Sequence, residues 1–237
     1  MKILITGIKQ GLGRYLALEF KKQNYANSII GVDKISKKEL KREISDIIDQ
    51  YYEVDLSDID SSLNTFNNII KKNKNIDVVI NNAGIKLFDN FKKLNQYDII
   101  NAFRVNTVLP VLINQLFLNE LEYIRIINIS SNAGFQGYPT GSVYCSSKAA
   151  LIKFTEAISK ETGSNQYVYT LCPSTIATKE YLKQFPEKNN SKLIAPEKVF
   201  SKIIKLIDGN AKSRVVPMIS HKDKIKYILY DLITFFE

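Results

Sequence analysis

Short runs of Ile and Val alternate along this chain with longer segments of helical period, and this alternation limits the fold more than any other feature. It is typical of repeated βαβ units, in which a helix returns the chain to the next parallel strand. Runs such as 78–80 (Val-Val-Ile) are apolar throughout, which indicates strands buried on both faces. The pattern therefore predicts an α/β fold, a doubly wound parallel sheet of Rossmann type.

The predicted elements cover most of the chain. The strands are Lys2–Thr6, Ser28–Asp33, Tyr51–Asp55, Ile76–Asn81, Ile124–Ser130, Tyr167–Cys172 and Arg214–Pro217. The helices are Gly11–Gln23, Ser36–Ile48, Ser57–Lys72, Asn95–Leu121, Val143–Thr162 and Pro196–Ile207. No repeat or linker divides the 237 residues, so we expect a single domain over 1–237, with one irregular segment at 179–195.

Composition excludes several classes of function. The formal net charge is +9, but the basic residues are scattered, which predicts a solvated surface and no nucleic-acid partner. Cys145 and Cys172 form no Cys-x-x-Cys pair and His221 is the sole histidine, so we expect no metal site. The sequence opens on a strand without a secretory leader and has no apolar run of membrane length, so we expect a cytoplasmic protein.

The first predicted strand runs directly into a glycine-rich turn, 6–13 (Thr-Gly-Ile-Lys-Gln-Gly-Leu-Gly), and then into a helix. Glycines at such a turn let the backbone approach a pyrophosphate, and the helix N-terminus supplies N–H groups and a positive dipole end. An ordinary βα turn is the alternative. The position favours a dinucleotide-binding loop, and the expected contacts are Gly7, Lys9, Gln10, Gly11, Leu12 and Gly13.

The second strand ends at Asp33, where a carboxylate can accept hydrogen bonds from ribose hydroxyls and would repel a 2′-phosphate. Lys34 and Lys9 lie next to it in the predicted fold and could instead pair with that phosphate. We therefore favour NAD as the cofactor, with NADP as the alternative.

Two further strand ends carry candidate cofactor contacts. Asp55 and Leu56 close the third strand, where they could meet the adenine ring, although Asp55 or Ser57 could equally cap the next helix. The fourth strand ends in 81–84 (Asn-Asn-Ala-Gly), which is either a plain turn or a place where the backbone comes close to the cofactor. The expected contacts there are Asn82, Ala83 and Gly84.

Tyr144 and Lys148 lie four residues apart at the start of a predicted helix, so they share one helix face. A free tyrosine has a pKa of about 10, which is too high for an acid/base catalyst at neutral pH. A nearby ammonium group favours phenolate and lowers that pKa. The spacing therefore predicts a catalytic pair.

Together these motifs resemble the short-chain dehydrogenase/reductase family, in the branch with Thr-Gly-x-x-x-Gly-x-Gly. The resemblance runs from the glycine loop through Asn-Asn-Ala-Gly and Tyr-x-x-x-Lys to Pro173 and Thr178. It implies hydride transfer between NAD(P) and a carbonyl or alcohol, in a homodimer or homotetramer. Pro173, Ile176 and Thr178 would complete the cofactor site.

The resemblance also implies the roles of the catalytic residues. Tyr144 would be the general acid in reduction and the base in oxidation, and Lys148 would lower its pKa and hold the nicotinamide ribose. Ser131 would bind the substrate oxygen, with Ser130 as the fallback, and Asn106 would hold a proton-relay water. A catalytically idle dinucleotide-binding sensor or scaffold is the rival interpretation.

One position departs from the family pattern. The family has glycine after the proline that ends the sixth strand, whereas this chain has Ser174. Glycine there lets the backbone pass close to the nicotinamide, so we expect Ser174 to shift the cofactor or narrow the pocket.

We expect a small-molecule substrate to contact 133–142, which includes Phe135 and Tyr138, and the segment 179–195, which could close as a lid. The C-terminal segment 221–237 predicts an amphipathic helix. It would dock on its own domain, form a subunit interface or, least favoured, touch a membrane surface.

Overall fold

Seven parallel strands form one sheet in the computed structural model, which describes residues 1–187, 193–209 and 213–218. The strands are β1 (Lys2–Thr6), β2 (Ser28–Asp33), β3 (Gln50–Glu53), β4 (Val78–Asn81), β5 (Ile124–Ile129), β6 (Gln166–Pro173) and β7 (Val215–Met218). Their order is β3-β2-β1-β4-β5-β6-β7, and every neighbouring pair is parallel. The predicted Rossmann-type sheet is confirmed, and each strand lies within two residues of its predicted bounds.

Helices cover both faces of this sheet. They are α1 (Gly11–Lys22), α2 (Arg42–Ser45), α3 (Ile59–Lys72), α4 (Gln96–Phe103), α5 (Leu109–Glu120), α6 (Ser142–Ile158), α7 (Lys179–Gln184) and α8 (Pro196–Ile207). Successive residues of a strand point to opposite faces, so Ile3 and Ile5 pack with α1 and α8 whereas Leu4 packs with α3 and α5. The result is two apolar cores separated by the sheet.

The predicted helix 36–48 is wrong over much of its length. Ser36 and Glu39 form a capping box around a single 3-10 turn, and only the four residues of α2 follow as α-helix. Leu40 and Lys41 between them are extended. Leu40 and Ile44 are nevertheless buried on the α1 side of the sheet. The apolar spacing therefore reflects burial in this crossover and not a continuous helix.

The predicted helix 95–121 is divided by a π-helical segment, Arg104–Val108, between α4 and α5. The backbone N–H of Leu109 bonds to the carbonyl of Arg104, five residues back. Such wide turns occur mostly as single-turn bulges and are frequent at functional sites. Asn106 lies inside this segment and is completely buried.

The segment after β6 is partly helical, whereas an irregular loop was expected. Thr178 caps α7, and Ile176 forms a parallel bridge with Ile194 that ties the two ends of this segment together. The predicted C-terminal helix, 221–237, lies outside the described residues. Within the described part of the chain, no helix is both long and apolar enough to span a membrane.

The sheet also determines where a ligand can bind. After β3 the chain returns to the other side of β1, so the strand order reverses between β1 and β4. Ligands of open α/β sheets bind beyond the carboxyl ends of the strands at such a reversal. The glycine loop follows β1 and the Asn-Asn-Ala-Gly turn follows β4, which places both motifs at that point.

Candidate active site

Helix α6 places Tyr144 and Lys148 on one face, one turn apart, as predicted. Both side chains are buried, and the Nζ atom of Lys148 lies 6.0 Å from the centre of the Tyr144 ring. The same Nζ donates a hydrogen bond of 2.9 Å to the backbone carbonyl of Ile129, at the end of β5. This bond holds the lysine between the helix and the sheet edge.

The two serines after β5 have different surroundings. Ser131 lies close enough to the phenol of Tyr144 to lower its pKa, and the Ser131 oxygen accepts a hydrogen bond from the backbone N–H of Ala133 at 3.2 Å. Ser130 instead donates to the backbone carbonyl of Lys148 at 2.8 Å. Ser131 is therefore the serine next to the phenol of Tyr144, whereas the hydrogen bond of Ser130 connects the end of β5 to α6.

The pKa of Tyr144 is raised above its ordinary value, which corrects the expected lowering by Lys148. Burial of the phenol is the largest cause, the nearby Ser131 side chain opposes it, and the neighbouring Cys145 adds to the rise. Burial removes water that would solvate a phenolate. In the protein chain alone, Tyr144 is thus a phenol at neutral pH, the form that can donate a proton.

Burial acts on Lys148 in the opposite direction. Loss of water lowers its pKa from 10.5 to about 8, Cys172 opposes this fall, and the positive charge of Lys86 adds to it. The pKa of Lys86 is itself lowered by desolvation. A second lysine beside the catalytic pair was not foreseen from the sequence.

This depressed pKa predicts a specific dependence of stability on pH. Between about pH 8 and 10.5 the unfolded chain retains a proton on Lys148 that the folded chain has lost. The free energy of unfolding should then rise with pH, by up to about 1.4 kcal/mol per pH unit, relative to a Lys148→Met variant. Urea unfolding of both proteins from pH 7 to 10 measures this difference, and parallel curves would contradict the depressed pKa.

Asn106 joins α6 to the turn after β4. Its Oδ1 accepts a hydrogen bond from the Ile85 backbone N–H at 2.8 Å, and its Nδ2 donates to the Ile85 carbonyl at 2.9 Å and to Ser147 Oγ at 3.0 Å. A β-carbon added to Gly84 would lie 3.1 Å from Asn106 Oδ1 and 3.4 Å from Lys148 Nζ. The turn after β4 therefore passes close to both Asn106 and Lys148.

The glycine loop is attached to the same turn. The Asn82 side chain donates hydrogen bonds to the carbonyls of Thr6 and Gly7, and Thr6 Oγ1 accepts the backbone N–H groups of Asn82 and Ala83. A β-carbon on Gly13 would lie 2.1 Å from the Gly7 carbonyl oxygen. The close packing of helix on strand expected at this glycine is thus present.

The loop also has the features that a dinucleotide phosphate needs. Gly7 and Gly11 have φ angles of 72° and 61°, in the left-handed region that favours glycine. The side chain of Gln10 does not cap α1, and a β-carbon at Gly11 would meet no atom within 4 Å. N–H groups at a helix N-terminus suit an anion, and in this structure the carboxylate of Glu180 accepts the N–H of Gly11 at 3.0 Å.

Asp33 is positioned by the loop itself. Its Oδ2 accepts the backbone N–H of Lys9 at 2.9 Å and its Oδ1 accepts that of Lys34 at 2.8 Å. Each carboxylate oxygen retains a lone pair for a further donor. The carboxylate is therefore fixed at the end of β2, next to the glycine loop.

Asp55 bonds locally and does not cap the next helix. Its Oδ1 accepts the backbone N–H and the hydroxyl of Ser57, and this contact is the main cause that lowers its pKa. The cap of α3 is Asp58, whose side chain accepts the Ser61 N–H, so the caps suggested at Asp55 and Ser57 are wrong. Leu56 beside Asp55 is buried.

Comparison with known proteins agrees with this geometry. The family model of short chain dehydrogenases matches residues 1–189. The chain belongs to the short-chain dehydrogenase/reductase family. It is thus an NAD(P)-dependent oxidoreductase that transfers hydride.

Individual relatives of this short-chain dehydrogenase/reductase cover different shares of it. An NADP-dependent 3-hydroxy acid dehydrogenase of Schizosaccharomyces pombe is 35% identical over 172 residues, or 68% of this chain and 65% of that enzyme. A 3-oxoacyl-(acyl-carrier-protein) reductase of Aquifex aeolicus is 30% identical over 185 residues, which are 74% of this chain and 73% of that enzyme. The solved structure of ElxO with NADP bound matches with a TM-score of 0.78 and 26% identity, over 92% and 96% of the two chains.

The departure from the family pattern at Ser174 causes no backbone strain. Its φ is not positive, and its N–H bonds to the Met218 carbonyl at 2.9 Å, which continues the pairing of β6 with β7. Pro173 before it ends β6. Thr178 Oγ1 accepts the Tyr181 N–H as the cap of α7, and its hydroxyl hydrogen stays available to donate.

The structure places two phenylalanine rings near the end of the sheet in different surroundings. Phe135 packs on a small core formed by Ile152, Cys172 and Val215. The ring beside Tyr144 is that of Phe88, at 5.1 Å between ring centres and with 48% of the residue exposed. No spacing rule marks Phe88, because it lies in an irregular segment after β4.

A buried amide network under the site was also missed. Asn128 on β5 accepts hydrogen bonds from Asn81 on β4 and from Asn114 on α5, at 2.9 and 3.0 Å. Its own Nδ2 reaches Thr155 on α6, which bonds to Thr170 on β6. Polar residues inside predicted strands and helices were the only signal, because most buried polar side chains form hydrogen bonds.

Proposed function

We propose that Tyr144 is the general acid/base of this oxidoreductase, with Ser131 as the donor to the substrate oxygen and Lys148 as the cation beside them. The observation that carries this proposal is the burial of Tyr144 and Lys148 one turn apart on one face of α6, with Ser131 beside the phenol. When bound, the nicotinamide supplies or accepts the hydride. The protein supplies the proton, the orientation and the exclusion of water.

In reduction, the raised pKa of Tyr144 keeps the phenol protonated, ready to donate its proton to a carbonyl oxygen. The Ser131 hydroxyl would hold the same oxygen and stabilise the charge that develops on it. Lys148 places a positive charge under the ring, which favours the phenolate that remains. Asn106 acts here as a positioning residue, because it fixes the turn that passes close to Lys148.

We propose that the cofactor lies along the glycine loop and the ends of β2, β4 and β6. The N-terminus of α1 would hold the phosphates, and Asp33 would accept the ribose hydroxyls. The remaining contacts would come from Gly7, Lys9, Gln10, Gly11, Leu12, Gly13, Lys34, Asp55, Leu56, Asn82, Ala83, Gly84, Tyr144, Lys148, Pro173, Ile176 and Thr178.

We propose NAD as the preferred cofactor, because the fixed carboxylate of Asp33 would repel a 2′-phosphate. Replacing Asp33 by Asn removes that charge and retains an acceptor, so the ratio of kcat/KM for NADH to that for NADPH should fall about tenfold. The matched control is Glu53→Gln, because Glu53 pairs with Asp33 in the sheet register and is exposed. An unchanged ratio in Asp33→Asn would show that Asp33 does not read the ribose.

We propose a small carbonyl or alcohol compound as the substrate, bounded by Phe88 and by the loop that carries Tyr138. Phe88 offers an exposed apolar ring against Tyr144, and Lys86 adds a positive charge nearby. The relatives named above act on a 3-hydroxy acid and on a 3-oxoacyl group, so 3-oxo acids and their thioesters are the first compounds to test.

The experiment is a panel of 3-oxo acids, ketones, aldehydes and alcohols with NADH, NADPH and their oxidised forms, followed by absorbance at the nicotinamide band. Turnover that selects among these compounds would support the assignment and exclude an idle dinucleotide-binding protein. Cofactor binding without turnover of any compound would contradict it.

We propose that the protein is a homodimer or homotetramer. Apolar side chains of and around α4 are exposed in the single chain, and they include Phe91, Tyr97, Ile100 and Val108. Exposed apolar patches on a folded protein often mark an interface. Light scattering of the full chain gives the number of copies, and a monomer at micromolar concentration would contradict this proposal.

We propose a cytoplasmic location. Cys145 and Cys172 are both free and buried, so neither is paired in a disulfide. Structural disulfides are rare in a reducing cytoplasm. Fractionation of cells that express the protein would test the location, and recovery from the medium or an exported compartment would contradict it.

A further inference from the structure

The carboxylate of Glu180, in the short helix after β6, lies on the N-terminus of α1. Its Oε2 accepts the backbone N–H of Gly11 at 3.0 Å, and its Oε1 forms an ion pair with Nη2 of Arg14. Glu180 is 169 positions from Gly11 and 166 positions from Arg14 in the sequence. They therefore connect α7 to the glycine loop across the open mouth of the sheet.

This ion pair differs from an ordinary surface pair. The side chain of Arg14 is only 7% exposed and that of Glu180 is 33% exposed. Thr178 caps α7 and so sets the direction from which Glu180 reaches the loop. Exposed ion pairs contribute little to the stability of a fold. A carboxylate that also accepts a backbone N–H at a helix N-terminus is stabilised by the helix dipole as well.

The contact uses the group that a cofactor phosphate needs. The N–H groups at the start of α1 are the anion-binding part of the glycine loop, and Gly11 contributes the first of them. A carboxylate and a phosphate cannot both form a linear hydrogen bond with the same N–H group. Two anions close enough to share that N–H would also repel each other. A phosphate at Gly11 therefore requires the Glu180 side chain to leave.

We propose that Glu180 is an internal competitor for the cofactor phosphate. In the cofactor-free protein its carboxylate takes the place of a phosphate oxygen at Gly11 and holds α7 over the loop. Cofactor binding exchanges one anion for another, and α7 is released from Arg14 in the same step. The proposal rests on the cofactor site proposed above and not on the choice of substrate.

The test compares cofactor affinity in variants of the full-length chain. Glu180→Gln removes the charge and retains an acceptor for Gly11, whereas Glu180→Ala removes both. Glu187→Gln is the matched control, because Glu187 is an exposed glutamate seven residues further along the same segment. Thermal unfolding of each protein verifies that it is folded.

The probes are NADH, followed by the change in its fluorescence, and ADP, followed by calorimetry. We expect both Glu180 variants to bind each probe about tenfold more tightly than the wild type, which corresponds to about 1.4 kcal/mol, and Glu187→Gln to bind as the wild type does. Higher salt should reduce the difference between Glu180→Gln and the wild type, because it screens the repulsion.

Two outcomes would overturn the proposal, and they have different meanings. Equal or weaker binding by the Glu180 variants, beside measurable binding by the wild type, would show that Glu180 clamps the cofactor or is uninvolved. Binding of neither probe by any of the proteins would overturn the cofactor site itself, and the role of Glu180 with it. Loss of catalytic activity alone would bear on neither result, since both probes are measured by binding.

Discussion

Replacing Tyr144 by Phe is expected to lower kcat/KM for carbonyl reduction by about 10³-fold and to change the Kd for NADH by less than about twofold. The substitution removes the hydroxyl next to Ser131, and it leaves the ring packed against Phe88. The lost stabilisation of the transition state is then about 4 kcal/mol. Steady-state kinetics and fluorescence titration with NADH measure the two quantities separately.

The matched control for this variant is Tyr138→Phe. Tyr138 is also near the mouth of the site, but it is 37% exposed and its hydroxyl bonds to Asn132 and Gln136. We expect its kcat/KM to stay within about fivefold of the wild type, because no proton transfer passes through that hydroxyl. Retention of turnover by Tyr144→Phe would remove Tyr144 from the mechanism.

Replacing Gly13 by Ala should have the largest effect on the cofactor site. The new β-carbon would lie 2.1 Å from the Gly7 carbonyl oxygen and 2.5 Å from Nδ2 of Asn82, so α1 and the loop must separate. Overpacking of this kind costs about 1–3 kcal/mol in the free energy of unfolding. The Kd for NADH should rise at least about tenfold, because the N–H groups of the loop move from the phosphate position.

Gly163→Ala controls for the loss of a glycine elsewhere in the chain. A β-carbon there would meet no atom within 4 Å and the φ angle is not positive, so we expect stability within about 1 kcal/mol of the wild type and unchanged affinity. Urea unfolding and NADH titration apply to both variants. Normal cofactor affinity in Gly13→Ala would show that the loop tolerates displacement.

Much of the fold could be predicted because it depends on local patterns. Buried parallel strands contain runs of apolar residues, so the Val-Val-Ile run of β4 and the Ile-Ile run of β5 locate both strands in the sequence. The crossover at 36–48 was mistaken for a helix because burial of Leu40 and Ile44 produces the same spacing as a helix face. The π-helical turn around Asn106 leaves the apolar period nearly unchanged, so no pattern reveals it.

The proximity of Tyr144, Lys148 and Ser131 could be predicted, since they lie on one helix and at one strand end, whereas their pKa shifts could not. The spacing of Tyr144 and Lys148 shows that they are neighbours, but the sign of each pKa shift depends on how much water the fold removes. Phe88 and Glu180 reach the site from distant parts of the chain. Contacts of that kind require the tertiary structure.

The turn at 82–84 has a consequence for redesign of this enzyme. Asn82 holds the glycine loop, while Gly84, two residues later, lies close to the ammonium group of Lys148. Cofactor placement and proton transfer thus share one short stretch of backbone, and an alteration there disturbs both at once. Substitutions that aim to change coenzyme preference are better made around Asp33 and Lys34, at the end of β2, because these residues lie away from Tyr144 and Lys148 on α6.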